Sequence, residues 1–442
     1  MEVNGAVFVG LATLDLAYTV DRYPAEDTKT QAAELFLGAG GPAANAAVAY
    51  AHLAGHSPTL ITALGEHPLA EPIRDDLHRY GVALTDLTPD AATRPPVSSI
   101  VVATAAATRT IVSLDGSRAD PRLPAGPAGH AATGTVAPEH AGPGDRFEEI
   151  AGPGSDAAAA ELLGNAAIVL VDGHYAEPAL RIAAAARAAG IPVVLDAGRW
   201  RQVHAELLPL VDIAICSAAF APPGVPPGSA AEVFDFLHTA GPAYAAITNG
   251  AEPIRYSFRG TDPGVPSAAR AAAGSPDAEA TGPRVLRPVE SVGDAPTADG
   301  VRSGVADGSP GMETASPRTV RDGAIGSPDA VPDVAAGSPD AEAAAPRAVP
   351  DGDGARRAGG SGRGPGRPPV QGETACARGE VAVPKVAAVD TLGAGDILHG
   401  AFCHFHALGE AFPVALRHAA EVAALSCASV GTRGWMGGQT IL

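Results

Sequence analysis

The sequence predicts an α/β protein of Rossmann type, a three-layer sandwich with a mostly parallel sheet between two layers of helices. Three observations predict it. Apolar runs of strand length alternate with helical patterns of ten or more residues, the pattern of a sheet covered on both faces. Helical patterns stop at glycines suited to C-caps, as at Gly55 and Gly190. Two long stretches that break the alternation have no apolar period of their own and read as insertions.

Taken in order, "AVFVGLATLDLAYTV" reads as a buried strand that leaves its core at Gly10 and passes Asp15. "GGPAANAAVAYAHLAG" opens with a glycine turn and continues as an Ala-rich helix. "TLITALG" is a strand, followed by a helix over Leu69 to Tyr80, and "SSIVVATAAATRTIVSLDGS" is two extended segments around a turn. Then "AAIVLVDGH" (strand), "AEPALRIAAAARAAG" (helix), "IPVVLDAG" and "VDIAICS" (strands), "AAEVFDFLHTAG" (helix) and "YAAITNG" (strand) follow. "DILHGAFCHFHALG" and "FPVALRHAAEVAALSCASVG" close the chain as two helices.

The insertions set the domain limits. The strand–helix alternation occupies 1–118, 159–259 and 380–442; low-complexity sequence fills 119–158 and 260–379. The larger insertion repeats "AAGSPDAEATGPR" (Ala272–Arg284) as "AAGSPDAEAAAPR" (Ala335–Arg347). Its units have no apolar face to stack, which excludes a solenoid. Ordering it would cost about 1–2 kcal/mol per residue in backbone entropy, with little apolar surface to offset that, so disorder is expected. What remains is roughly 280–300 residues, the size of one α/β domain with a small appendage.

Composition narrows the function. The 442 residues include 53 Gly and 41 Pro with only 4% aromatics, and only two basic residues are lysines, Lys29 and Lys385. That skew reads as a coding bias. A formal net charge of −19 argues against nucleic acid, where Lys and Arg must replace counterions. Cys216, Cys376, Cys403 and Cys427 have no paired spacing that suggests disulfides or zinc. The start lacks a basic n-region, and no apolar run approaches the roughly 18 residues of a membrane span, so a cytoplasmic protein is expected.

The chemistry concentrates in "DTLGAGDILHGAF". Gly393, Ala394 and Gly395 run into Asp396 where a helix begins. A helix N-terminus offers unpaired N–H groups and about half a positive charge, and residues without bulky side chains let an anion approach. A carboxylate beside that cradle suits a base that deprotonates a hydroxyl attacking a phosphorus held there. Taken alone, the same residues equally describe a tight turn with an Asp cap.

They are not alone. "DTLGAGDILHGAF" resembles the second signature of the PfkB/ribokinase family of carbohydrate kinases, and "GGPAANAAVAYAHLAG" resembles the first. "VGLATLDLAYTVDRYPAEDT" is similar to the family's opening strand and "AITNGAEP" to its nucleotide-binding turn, all in the family's order. The opening and the "GGPAA" turn look most like ketohexokinases and the sulfosugar-kinase branch. The resemblance implies a ribokinase-like fold with a small β-sheet lid near Leu16–Gly38 and Ser98–Asp115. It implies transfer of the γ-phosphate of ATP to a sugar hydroxyl, with Mg2+ as cofactor and a monovalent cation as an open candidate. Asp396 would be the catalytic base and Gly393, Ala394 and Gly395 the anion hole. Asp15, Gly41 and Asn45 would bind sugar hydroxyls; Arg109, Thr248 and Gly250 would bind the nucleotide. A homodimer through the lid is expected, with no membrane partner. Read without the resemblance, Asp15 is a turn residue, Asn45 a helix-surface residue and Arg109 a solvated strand charge.

Departures from the family pattern leave the metal ligands unknown. Pro42 stands where many ketohexokinase-like members have Asn. The family's N-x-x-E motif falls on Ser217 and Phe220, and Pro253 replaces a glycine of the nucleotide turn. Asp196 and Arg199, at a strand's C-terminal end, are candidates for the phosphate or metal side; His174 is a candidate for facing substrate. His399, His404 and His406 suggest no metal site. Two other functions stay open: a nucleoside kinase of the same family, and a catalytically weak sugar-binding regulator on a kinase scaffold.

Overall fold

The computed structural model describes residues 5–114, 116, 119–124, 155–260 and 376–437. These fall in one compact unit, Met1–Val285 with Gly372–Leu442; a second unit, Leu286–Gln371, lies outside the described residues, as does most of both expected insertions. The chain runs β1 (Gly5–Val9), β2 (Thr13–Val20), β3 (Glu34–Gly40), α1 (Pro42–Ala54), β4 (Thr59–Thr62), α2 (Glu71–Arg79) and β5 (Ala83–Asp86). It continues through β6 (Val97–Ala103), β7 (Thr108–Ser113), α3 (Ser155–Leu163), β8 (Ala166–Val171), α4 (Ala176–Ala188) and β9 (Val193–Ala197). Then come α5 (His204–Leu207), β10 (Ile213–Ser217), α6 (Ala230–Ala240), β11 (Tyr244–Asn249), β12 (Glu252–Arg259) and β13 (Cys376–Val381). α7 (Ala394–Ala407) and α8 (Phe412–Cys427) end it.

Among the described residues, nine strands form one sheet in the order β13-β12-β11-β10-β9-β8-β1-β4-β5. From β11 to β5 the pairs are parallel; β12 and β13 add an antiparallel edge. Four strands form a separate small sheet, β3-β2-β6-β7. The ribokinase-like α/β fold with a β-lid is therefore present.

Three expectations are corrected. The single opening strand is two: β1 lies in the large sheet and β2 in the lid, with the break at Gly10. A Cβ on Gly10 would lie 2.1 Å from the Asp172 carboxyl, so only glycine fits there. The helix expected from Leu69 begins at Glu71, after a short 3-10 turn at Pro68–Ala70. β13 starts at Cys376, inside the stretch expected to be disordered. It pairs residue for residue with β12, from Ile254↔Val381 to Arg259↔Cys376, and main-chain pairing needs no apolar side chains. The long insertion thus joins two paired strands, where added loop length costs closure entropy only logarithmically.

Two helices position the site. α1 is Ala-rich and buried from Ala43 to Ala51, so it reads as apolar on every side. α7 crosses it at Gly400, where a Cβ would lie 2.1 Å from the Ala46 carbonyl oxygen. Phe402 on α7 and Phe412 on α8 are fully buried with Phe8 of β1 in one core. Each such burial contributes about 1.5–3 kcal/mol. No helix among the described residues is long and apolar enough to cross a membrane.

Candidate active site

The site forms at the N-terminus of α7. Gly393 is the N-cap with φ 67°, and no side chain caps the first turn. A Cβ on Gly393 would lie 2.7 Å from Thr432 Cγ2, so both conformation and space call for glycine there. Gly395 differs: a Cβ would meet nothing within 4 Å. Ala394 and Gly395 lie in the first helical turn rather than before it. Open space thus lies beside Gly395 in the first turn, while the Ala394 N–H already donates to the Thr391 carbonyl at 3.3 Å. Asp390 anchors the loop leading in, accepting from Leu392 N at 2.8 Å and from Gly431 N at 2.9 Å.

Asp396 is the third residue of α7. Asn45 Nδ2 donates to its Oδ2 at 2.9 Å across the α1–α7 crossing. Burial pushes the Asp396 carboxyl above its ordinary value, against the lowering effects of Asn45, His399 and Arg109. Asp15, on β2, accepts from Thr13 Oγ1 at 2.6 Å, and burial raises it too. Its carboxylate lies where a Cβ on Gly40 would stand, 1.9 Å from Oδ2. Gly41 has φ 94°, and a Cβ there would meet the Leu11 carbonyl at 2.5 Å. Arg109, on β7, reaches the loop before α7: its Nη1 donates to Thr391 Oγ1 at 2.7 Å.

The structure therefore groups Asp15, Gly41, Asn45, Arg109 and the Gly393–Asp396 turn. Thr248 and Gly250 lie elsewhere on the sheet edge. Thr248 pairs with Ser217 at the ends of β11 and β10, and Gly250 follows at the turn into β12 with open space around it. His399, one turn after Asp396, sits between the two groups. Its Nε2 is 3.1 Å from the Ile215 carbonyl of β10 and its Nδ1 is 2.7 Å from the Gly395 carbonyl.

Asp196 lies beneath this helix. Its Oδ2 is 3.4 Å from His399 Nδ1, and it lacks a hydrogen-bond partner. Burial pushes Asp196 up to about 6 against the attraction of His399. The folded value exceeds the unfolded 3.8, so stability is full below 3.8 and is lost as the pH rises through about 6. Asp196→Asn is expected to flatten the fall in melting temperature between pH 5 and pH 8; an unchanged slope contradicts this. His174 does not stand free: Arg201 Nη2 is 2.6 Å from its Nε2, and its Nδ1 is 3.2 Å from Asp172 Oδ1. Arg199 is exposed.

The residue that sequence reasoning missed is Arg433, 7% exposed after α8. Its Nη1 donates to Asn45 Oδ1 at 3.0 Å, and its Nη2 donates to Asp76 Oδ2 at 3.1 Å and to the Ala39 carbonyl at 2.9 Å. One signal was available: Arg433 is the last basic residue of the sequence, in the short segment that follows an apolar helix.

The family model described as "pfkB family carbohydrate kinase" matches residues 4–125 and 377–436. Two segments of the chain thus resemble the pfkB family carbohydrate kinase model. Ribokinases are among the solved structures that resemble it. That of Giardia lamblia is 12% identical with a TM-score of 0.55, covering 98% of this chain and 96% of its own. That of Thermotoga maritima is 13% identical with a TM-score of 0.53, covering 99% and 96%. That of Arabidopsis thaliana, complexed with ribose and ATP, is 15% identical with a TM-score of 0.50, covering 99% and 100%. At these identities the likeness concerns the fold. No curated protein sequence matches the chain.

The chain departs from the family pattern it resembles in ways the structure makes concrete. Pro42 is the first residue of α1, where its missing N–H costs nothing. Phe220 is 2% exposed and packs 5.7 Å from Trp200 and 5.8 Å from His204, so a core aromatic fills the position of the motif's Glu. Ser217 Oγ donates to the Gly198 carbonyl at 2.6 Å and accepts from Ala219 N at 3.1 Å. Pro253 belongs to β12, beyond the turn it was expected to stiffen. Among the described residues no three His, Cys, Asp or Glu side chains converge as a metal cage.

Proposed function

We propose that the protein is an ATP-dependent sugar kinase with Asp396 as catalytic base. The observation that carries this reading is the hydrogen bond from Asn45 to Asp396 beside the open space at Gly395 in the first turn of α7. Asn45 aims the carboxylate, and burial makes it a stronger base than a free aspartate. Asp396 takes the proton of the attacking sugar hydroxyl, while the amides of Gly393, Ala394 and Gly395 stabilise charge on the transferring phosphoryl group. Asp15 and Gly41 hold other sugar hydroxyls, and Asn45 offers its second N–H. Arg109 contacts the phosphates from the lid, and Thr248 and Gly250 line the nucleotide end.

Mg2+ arrives bound to the ATP phosphates as part of the substrate. That fits the described residues, among which no cage of three donors forms, because Mg2+ keeps several waters and is commonly held through substrate phosphates. Asp196 is the carboxylate candidate on that side. Lid closure over the sugar would exclude water and so suppress hydrolysis of ATP. Dependence on ATP fits work in the cytoplasm.

Phe220, buried where the family's metal-organising Glu stands, favours one rival, a sugar-binding regulator. ADP release from MgATP across ketohexoses, pentoses, sulfosugars and nucleosides separates the readings. Turnover on a sugar supports the kinase and names its class. Turnover on nucleosides alone gives the nucleoside-kinase alternative, and sugar binding without ADP gives the regulator.

The outer face of the lid supports a homodimer. Tyr18, Leu35, Leu37 and Val112 are 41%, 55%, 50% and 72% exposed. Tyr18 is paired with Leu35, and Leu16 with Leu37, so these side chains form one apolar face. Light scattering is expected to give twice the chain mass for the wild type and the chain mass for Leu37→Asp. A monomeric wild type removes the dimer.

A further inference from the structure

We propose that Arg433 is a positioning residue that fixes the orientation of the Asn45 amide and, through it, the carboxylate of Asp396. The inference rests on Asp396 being the base, and deepens that reading. A side-chain amide has two ends, and its direction follows from its neighbours. Arg433 can only donate, so the Asn45 atom 3.0 Å from its Nη1 must be the oxygen. The amide nitrogen then faces Asp396 Oδ2 at 2.9 Å. Rotating the amide by half a turn would set N–H against guanidinium and oxygen against carboxylate, losing both bonds.

The guanidinium is itself held on several sides. Nη2 donates to Asp76 Oδ2 and to the Ala39 carbonyl, while the Ala39 N–H donates to the same Asp76 oxygen at 3.1 Å. Nη1 also donates to Thr432 Oγ1 at 2.9 Å, and the group lies 5.3 Å from the centre of the Tyr80 ring. Asp76 on α2, the end of β3 and the segment after α8 thus converge on one cation whose free fork reaches Asn45. Lysine cannot reproduce this, because one ammonium lacks the planar fork that serves four acceptors in fixed directions.

The placement has a consequence for substrate. With one N–H given to Asp396 and Oδ1 facing the Arg433 guanidinium, the N–H that Asn45 still has to give is the donor it offers a sugar. A hydroxyl that accepts from that N–H is free to donate elsewhere, which suits a hydroxyl that also faces Asp15 or Asp396.

The test uses the full chain with Arg433→Met, Arg433→Lys and the double variant Arg433→Met with Asp76→Asn, which leaves no stranded buried charge. Two readouts are needed. The first is the kinetics of whichever acceptor the wild type phosphorylates. Losing an oriented donor to an ionised group should lower kcat about 10- to 100-fold in the double variant, with the KM for ATP changed less than about threefold. The acid limb of kcat/KM should move to higher pH, because Asn45 favours the ionised form. Of the other groups acting on that carboxylate, His399, Arg109, Asp172 and Asp196 keep their partners, while Asp15 loses the attraction of Arg433. Arg433→Lys should recover only part of kcat. The second readout is hydrogen exchange of the Asn45 side-chain amide by NMR, assigned with Asn45→Asp, expected about tenfold faster without Arg433.

A double variant with wild-type kcat and acid limb overturns the proposal, as does a loss shared equally by kcat, ATP binding and melting temperature. If only Arg433→Lys folds, full kcat in it overturns the proposal and partial kcat supports it. If the wild type phosphorylates nothing, the kinase reading fails by itself, and amide exchange still decides whether Arg433 holds Asn45.

Discussion

Asp396→Asn is expected to lower kcat by about 10³-fold, within the range a positioned general base supplies, while sugar affinity changes little. The same substitution should raise the melting temperature at pH 8. Burial lifts the folded pKa of Asp396 above its ordinary value of 3.8. A raised carboxyl contributes stability that is full below the unfolded pKa and lost as pH rises through the folded one. At pH 8 the charge is a net cost that Asn removes, and near pH 4 little difference should remain. The substituted amide still presents an oxygen to Asn45 Nδ2. A protein more stable yet inactive is what a strained catalytic group predicts; a cap role predicts the reverse, since losing an Asp from a helix's first turn destabilises. Kinetics together with melting curves at the two pH values distinguish them.

Gly400→Ala is expected to destabilise the protein by about 3 kcal/mol or more and to reduce activity with it. Helix propensity alone predicts the opposite sign, since Ala in a helix interior is favoured over Gly by about 1 kcal/mol. Packing decides. A new Cβ would stand 2.1 Å from the Ala46 carbonyl oxygen and 2.9 Å from its carbon and from Ala49 Cβ. The obstacle is chiefly backbone, so no rotamer relieves it and α1 and α7 must part. Asn45 precedes Ala46, so parting them lengthens the bond to Asp396. Chemical denaturation and kcat of one preparation should fall together; a stabilised Gly400→Ala would mean that the two helices cross elsewhere.

Much of this was legible in the sequence. Alternating strand and helix patterns identified the parallel sheet because each element buries its own apolar run. The turn at Gly393–Asp396 was legible because anion-binding turns need small residues at fixed spacing. The break between β1 and β2 was not. The apolar run continues through Leu11 and Ala12, and only the approach of Asp172 to Gly10 shows why the chain leaves one sheet for another. β5 was missed because four residues, ALTD, are too short to show a period. Arg433 and Asp76 were missed for a different reason. Asp75 and Asp76 are neighbours on one polar helix pattern, yet Asp76 is 5% exposed and meets an arginine 357 positions away. A long-range polar network leaves no local pattern. Asn45 was read from the resemblance as a sugar ligand, but the structure gives it two protein partners first.

The most direct measurement of the central claim is ³¹P NMR of the protein with MgATP and its best sugar acceptor, with Asp396→Asn run beside it. A new phosphomonoester resonance that requires the sugar, grows with ADP and is absent in the Asn variant is the predicted result. ADP without a phosphorylated sugar, or equal product from Asp396→Asn, would contradict a sugar kinase whose base is Asp396.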